Sequence, residues 1–305
     1  MAAASKEQPP PQVIRKIKNK FNFMYYIGFD IGASSIKAVR IEDRKIIKTA
    51  LRPLPLALGD FLETLGAMFR ELSKNVTEIS GVGFGFAGML DERREIMLIS
   101  PNIKYLNNQP LKNLLTEKFK PYPVKIEHDA HCFLLAEKKV GLAKDLTDVF
   151  YVTLGSGIGG ALMVDGKISI GAHGAAGEVA HTIINIDQAT ELESLASNKF
   201  IVSLLGVGSM EAGRLAEMGD KKARQVLGQL GQNLGVGIAN IINIFDPQAV
   251  IINGGISEEQ ELILPGIKEN IAKFVASPAA RETKILFSQL GRFGGALGAA
   301  LMLEE

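Results

Sequence analysis

The sequence predicts an α/β fold of two similar lobes with a ligand cleft between them. Residues 149–171 repeat the pattern of residues 25–50: strand, glycine turn, strand, charged turn, strand. The triplets Asp43-Arg44-Lys45 and Asp165-Gly166-Lys167 hold the same place in each copy. A helical pattern and a further strand follow each copy, which is the alternation of a duplicated α/β structure. A cleft between two such units is the natural ligand site.

Taken in order, residues 1–23 carry Lys6, Arg15, Lys16, Lys18, Lys20 and a Pro9-Pro10-Pro11 run without an apolar core. This predicts a disordered basic tail, not a signal peptide. Tyr25 to Phe29 reads as a buried strand, Gly32 to Ser35 as a turn, and Ile36 to Ile41 and Ile46 to Ala50 as strands joined at Asp43-Arg44-Lys45. Asp60 is placed to cap a helix whose Phe61, Leu65, Phe69 and Leu72 fall at helical spacing. Val82 to Phe86 is the next strand, and Ile96 to Ile99 reads as strand too. In the second copy, Val149 to Leu154, Gly160 to Val164 and Ile168 to Ile170 are strands, with Gly155-Ser156-Gly157 turning the first into the second. Lys221 to Phe245 is a long helix, and Ala249 to Ile252 a strand ending at Gly254-Gly255. Glycines 228, 231, 235 and 237 weaken an isolated helix and are read as permitting close helix packing.

Composition narrows the function classes. Lys+Arg 34 against Asp+Glu 33 leaves a formal charge of +1, which gives no global case for nucleic acid or an acidic membrane surface. Cys132 is the only cysteine, so no intrachain disulfide can form, which suits the cytoplasm. No apolar run is long enough to span a bilayer. The 32 glycines exceed the ~21 of average usage, and they cluster at turns.

The chemistry centres on Val124-Lys125-Ile126-Glu127-His128-Asp129-Ala130-His131, where a β-branched run ends and a helical pattern starts. A carboxylate at such a corner gains from the helix N-terminus and can take a proton from a hydroxyl; it can also be a plain N-cap. Gly155-x-Gly157-x-x-Gly160 and Gly83-x-Gly85-x-x-Gly88 match the dinucleotide pattern, but a strand follows each where a helix is required. No Gly-x-x-x-x-Gly-Lys-Ser/Thr run exists. Glycine-rich hairpin turns, one per lobe, are another way to cradle phosphates. Asp30-Ile31-Gly32-Ala33-Ser34-Ser35-Ile36-Lys37 offers an acid for hydrated Mg²⁺, small turn residues and a lysine; an ordinary hairpin is the competing reading.

Together these residues resemble the ROK family of bacterial sugar kinases, within the actin-like ATPase superfamily, from Tyr26 to Leu303. Asp30-x-Gly32 through Lys37 resembles its first phosphate motif, and Leu154-Gly155-Ser156-Gly157-Ile158-Gly159-Gly160 its second. Gly83-x-Gly85-x-Ala87-Gly88-x-x-Asp91 is similar to Gly-x-Gly-x-Pro-Gly-x-x-Asp, with Ala87 for Pro. Pro101-Asn102 with Pro110-Leu111 fits the next element. Glu127-His128-Asp129-Ala130-His131 resembles Glu-Asn-Asp-Ala-Asn, whose Asp is the base. Gly177-Glu178-Val179-Ala180-His181 is similar to the sugar motif, and Asn253-Gly254-Gly255-Ile256 to the adenosine-side turn.

The resemblance implies a two-lobed actin-like (ribonuclease H-like) ATPase fold. The expected division is a tail over 1–23, a smaller lobe over 24–126 and a larger lobe over 127–290, with a final helix over 291–305 packing back on the smaller lobe. The implied activity is ATP-dependent transfer of the γ-phosphoryl group to a hexose or amino-hexose hydroxyl, with Asp129 as general base. ATP would meet Gly32, Ala33, Ser34, Ser35 and Lys37 in one lobe and Gly155, Ser156, Gly157, Gly254 and Gly255 in the other. Mg²⁺ would be held through water near Asp30. Gly88, Asn102, His128, Asp129, Glu178, His181 and Glu193 would line the sugar pocket. A cytoplasmic homodimer is expected, with no nucleic-acid or membrane partner.

Two departures stand out. The family's zinc motif, Cys-x-Cys-Gly-x-x-Gly-Cys-x-Glu, is replaced by Ile183 to Glu193, which keeps the Glu and no Cys; a structural zinc needs four ligands, so none is expected. His128 and His131 replace the two Asn residues around the base. They permit a His-x-x-His metal reading, but two solvated or sugar-facing histidines are the simpler account. His173 reads as an exposed loop residue and Cys132 as a buried core side chain. The rival readings are a sugar-responsive repressor, against which the short, aperiodic stretch from Met1 to Met24 argues, and a non-catalytic or regulatory sugar-binding relative.

Overall fold

The computed structural model describes residues 24–76 and 78–304; the basic tail expected over residues 1–23 lies outside the described residues. The chain opens as an antiparallel meander of β1 (Tyr25–Ile31), β2 (Ser35–Glu42) and β3 (Lys45–Pro53). Helix α1 (Leu58–Ser73) leads to β4 (Ile79–Phe86), parallel to β1. A small hairpin, β5 (Met89–Leu90) and β6 (Met97–Ile99), and helix α2 (Leu111–Lys118) precede β7 (Val124–His128), parallel to β4. The sheet order is β3-β2-β1-β4-β7.

Helix α3 (Asp129–Val140) carries the chain to the second sheet. There β8 (Val149–Leu154), β9 (Ile158–Val164) and β10 (Lys167–Ser169) form the second meander. A hairpin of β11 (Ile183–Asn185) and β12 (Thr190–Glu191) comes next. Helices α4 (Leu192–Ala196), α5 (Asn198–Leu205), α6 (Ser209–Glu217) and α7 (Lys221–Phe245) lead to β13 (Ala249–Asn253). Helix α8 (Gln260–Phe274), β14 (Lys284–Phe287) and α9 (Gly294–Leu301) complete the described chain. This sheet runs β10-β9-β8-β13-β14, the same arrangement as the first.

The duplication read from the sequence is therefore structural, and its turns show why. Asp43 and Arg44 have φ 46 and 62, and Asp165 and Gly166 have φ 51 and 74. Two successive positive φ values mark the hairpin turn whose twist matches the flanking strands. The central strands β1, β4 and β13 are buried along nearly their whole length, as expected where both faces are covered. One expectation fails locally: α1 begins at Leu58, so Asp60 lies inside its first turn, and Ala57 is the N-cap with no side-chain cap. Asp60 still faces the positive helix end, while Phe61, Leu65, Met68 and Leu72 are the buried stripe.

Close approach explains several glycines. A Cβ on Gly231 would stand 2.3 Å from the Ile263 oxygen, so α7 and α8 pack backbone to backbone; Gly228 has nothing nearby and permits no such contact, contrary to expectation. Helix α9 packs on the first sheet in the same way. A Cβ on Gly28 of β1 would stand 2.0 Å from the Ala296 oxygen, and one on Gly298 would stand 1.7 Å from the Cys132 oxygen of α3. The last helix thus wedges between β1 and α3. Strand β7 runs through Glu127 and His128, so the boundary expected at 126/127 falls within it. No helix among the described residues is long and apolar enough to cross a membrane.

Candidate active site

The corner between β7 and α3 places Asp129. His128 ends the strand in extended conformation and is the helix N-cap, without a side-chain cap bond. Asp129 is the first helical residue, not the N-cap, and its Oδ1 accepts the Ala130 N–H at 2.8 Å. It therefore sits in the positive field of the α3 N-terminus. His128 Nδ1 lies 3.3 Å from Asp129 Oδ1 but makes no hydrogen bond. His131, read as a solvated or sugar-facing residue, is instead buried at 2% exposure, with Nδ1 3.1 Å from Glu127 Oε1. Two positions after Asp129, roughly 200° round the helix axis, it points to the opposite side of the corner.

Asp30 and Lys37 face each other across the β1–β2 ladder, with Lys37 Nζ 3.0 Å from Asp30 Oδ2. Asp30 is buried, and burial pushes its carboxyl above the usual range; Lys37 opposes the shift and the Asp129 charge adds to it. Asp30 and Asp129 therefore share one electrostatic site. A neighbouring carboxylate of this kind suits a cation. Gly32 closes the hairpin turn by donating to the Ser35 oxygen at 3.0 Å, and Ser34 at its tip is exposed.

The second glycine turn approaches the same corner. Gly155 N–H donates to the Gly157 oxygen at 2.9 Å, and no atom lies within 4 Å of where a Gly155 Cβ would stand. At its root a Cβ on Gly159 would lie 3.7 Å from Ala130 Cβ, in the first turn of α3. Gly254, at φ +108, packs against the end of β8: a Cβ there would stand 2.0 Å from the Leu154 oxygen. Only a residue without a Cβ combines that φ with that contact. Gly255 next to it is exposed. Asp30, Lys37, Asp129 and both glycine turns thus converge.

The residues expected at a sugar are more dispersed. Gly88, at φ +142, packs on the Ile99 oxygen, and Asn102 is exposed in the loop after β6. Glu178 precedes a short 3-10 turn over Val179–His181. His181 is exposed, with Nδ1 3.2 Å from Glu191 Oε2. Glu193 lies against the second glycine turn: Oε2 accepts the Ile158 N–H at 3.0 Å, and Lys199 Nζ reaches Oε1 at 2.6 Å. Burial pushes its carboxyl up, but Lys199 and the Ile158 N–H outweigh that and hold it below the usual Glu range, helped by His181.

Sequence reasoning missed Glu191, Lys199 and Arg94. Arg94 Nε stands 2.7 Å from Glu127 Oε1, which also accepts the His128 N–H at 2.8 Å. Glu127 was within the quoted motif, but nothing in the turn around Arg94 announced its partner. The segment that replaces the zinc motif forms β11 and β12. Among the described residues no group of three or more His, Cys, Asp or Glu is placed to hold a metal. His173 is exposed, and Cys132 is buried, its thiol pushed well up by burial.

The fold and this convergence define an α/β protein with the actin-like ATPase fold. The ROK family model matches residues 26–305, and the chain belongs to the ROK family. A glucokinase from Thermotoga maritima is 28% identical over 309 residues, covering 92% of this chain and 97% of that protein. A xylose repressor from Caldicellulosiruptor bescii is 31% identical over 226 residues, covering 65% and 56%. The crystal structure of a ROK family glucokinase from Streptomyces griseus, in complex with glucose and AMPPNP, superposes with a TM-score of 0.81 at 27% identity, covering 91% of this chain and 98% of that one. Both kinases and regulators thus resemble this chain.

Proposed function

We propose that this chain is an ATP-dependent sugar kinase that phosphorylates a hydroxyl of a hexose or amino-hexose. The observation that carries the reading is Asp129, at the α3 N-terminus, sharing its electrostatic site with buried Asp30 and standing beside the second glycine turn. In this reading Asp129 accepts the proton of the attacking hydroxyl. Phosphoryl transfer needs positioning and charge neutralisation more than covalent chemistry. The backbone of Gly32–Ser35 and of Gly155–Gly157 would receive phosphates, Lys37 would add a positive charge, and Gly254-Gly255 would flank the nucleoside. Asp30 would hold Mg²⁺ through water, and the ion supplies charge neutralisation on the phosphates. The open space at Gly155 and the Asp30–Asp129 pair fit those groups. Gly88, Asn102, His128, Glu178 and His181 would contact the sugar. Glu193, bound to the Ile158 N–H, would link the sugar side to the phosphate side. No zinc is needed. The assembly proposed is a homodimer, which light scattering checks.

The similarity to xylose repressors supports a second reading, a sugar-binding protein without turnover. A coupled assay with ATP and a panel of hexoses and amino-hexoses separates the two. The kinase reading expects sugar-dependent ADP release that falls at least ~10²-fold in Asp129→Asn, with ATP binding retained. Sugar binding without turnover in the wild type would replace it with the regulatory reading.

A further inference from the structure

A cavity that does not contain Asp129 lies on the other side of the β7–α3 corner. It measures about 730 Å³ and is walled by the edge strand β7, by α3 and by the β9–β10 turn. That volume is in the range of small-molecule sites. Its charge is one-sided: Lys and Arg side chains from six separate segments line it, against two carboxylates, Glu95 and Glu127. The whole chain carries only +1, so the excess is local.

Three of these cations are held by carbonyls, whereas Arg44 pairs with Glu304 at 2.8 Å. Lys112 Nζ donates to the Val124 oxygen, Lys125 Nζ to the Met302 oxygen at 2.7 Å, and Lys138 Nζ to the Leu146 oxygen at 2.7 Å. A carbonyl fixes an ammonium without cancelling its charge. Arg93, Lys144 and Lys167 are exposed and have no ion pair among the described residues. Arg94 is 11% exposed, and its Nη2 is buried with no hydrogen-bond partner, although Glu127 meets its Nε. Gathering like charges around a half-enclosed space raises the free energy of the empty protein. A bound polyanion relieves that repulsion and satisfies the orphaned guanidinium nitrogen.

We propose that this cavity is a binding site for a compact oligophosphate, an anion with three or more phosphate groups. Cations on three walls of a cavity of about 730 Å³ call for an anion with several charged groups. No Phe, Tyr or Trp lines the space, so it lacks the stacking surface on which nucleic-acid bases are held. The site backs onto the corner that carries Asp129, through Arg94 and Glu127. The inference stands apart from the kinase reading and is tested without turnover.

The test is calorimetric titration of the full chain with tripolyphosphate and, separately, myo-inositol hexakisphosphate. Binding of either that charge reversal in the cavity removes supports the site, and the tighter of the two tells linear from clustered phosphates. Affinity should exceed that for orthophosphate at least tenfold and fall with added salt. The variant Arg93→Glu/Lys144→Glu/Lys167→Glu should lose at least tenfold, while Arg93→Lys/Lys144→Arg/Lys167→Arg keeps wild-type affinity and shows that charge is the cause. Gly155→Ala, which alters the phosphate side of the cleft without loss of stability, should leave the binding that charge reversal removes within twofold. Equal affinity for orthophosphate, loss in Gly155→Ala with retention in the charge-reversed variant, or tighter binding of a single-stranded oligonucleotide would each overturn the proposal.

Discussion

Glu127 and His131 stand four residues apart across the strand-to-helix corner, Oε1 to Nδ1 at 3.1 Å, with the Arg94 guanidinium 2.7 Å from the same oxygen. Burial pushes the Glu127 carboxyl up, but His131, Arg94 and the His128 N–H together hold it below its usual range. A depressed carboxylate stabilises the fold above its unfolded pKa, and that stability is lost as pH falls through the lower folded value. Glu127→Gln should therefore cost about 1.5–3 kcal/mol at neutral pH, the worth of hydrogen bonds to a charged group. The gap from wild type should narrow below about pH 4. Urea denaturation of both proteins from pH 7 to 3 measures it; a gap that stays constant would show that the charge contributes nothing.

The pair Asp30–Lys37 behaves oppositely. Asp30 is raised chiefly by burial, so its ionised form is a burden on the fold at neutral pH, and Lys37 compensates for it. Lys37→Met removes the compensation and should cost about 3–5 kcal/mol, the effect of unpairing a buried charge. Stability should recover on acidification as Asp30 takes a proton. Asp30→Asn with Lys37→Met should be more stable than Lys37→Met alone at pH 8. A double variant no better than the single one would place the cost in lost Lys37 packing.

Two glycines predict opposite outcomes for the same substitution. A Cβ on Gly298 would meet the Cys132 carbonyl at 1.7 Å, and a backbone atom cannot step aside cheaply. Gly298→Ala should cost at least ~1–3 kcal/mol from overpacking and shift α3, which carries Asp129. Gly155 has no neighbour within 4 Å and no positive φ. Gly155→Ala should keep stability within about 0.5 kcal/mol, while ATP affinity drops because the methyl group enters the space proposed for phosphate. Thermal melts and nucleotide titration of both variants read the two effects separately.

These cases show which features local sequence carries. The two meanders were legible because Asp43-Arg44 and Asp165-Gly166 are short-range turn signals between β-branched runs. The corner at Asp129 was legible because the strand pattern stops and the helix pattern starts there. Asp60 misled because an acidic residue suits both the cap and the first turn. His131 misled because its burial depends on Glu127 and on the packing of α3, not on its neighbours in sequence. The basic cavity was invisible because its cations come from Arg44 to Lys167, separated along the chain and assembled only by the fold. Lys199 and Glu193 likewise meet through the geometry of α4 and α5, where no motif relates them.

His128 makes the sharpest specificity prediction. The resemblance implies a sugar contact at the position before the base, where this chain carries imidazole in place of Asn. The ring lies beside Asp129, with Nδ1 buried and without a hydrogen bond. Asn offers a donor and an acceptor from one short amide, whereas imidazole offers one of each at a longer reach, and which nitrogen donates depends on its tautomer. A site built on hydrogen bonds discriminates strongly when one partner is missing or misplaced. An unpaired ring nitrogen next to the proposed base thus waits for a hydroxyl that the family Asn would meet differently. His128→Asn should move preference towards glucose, changing kcat/KM ratios between hexoses by about tenfold or more, the effect of one hydrogen bond at the upper end of its usual worth. Stability should change little, because His128 makes no side-chain bond that the fold needs. The measurement is kcat/KM across a panel of hexoses and amino-hexoses for wild type and variant, with denaturation curves alongside. Unchanged ratios in a stable variant would show that His128 orients the corner without reading the sugar.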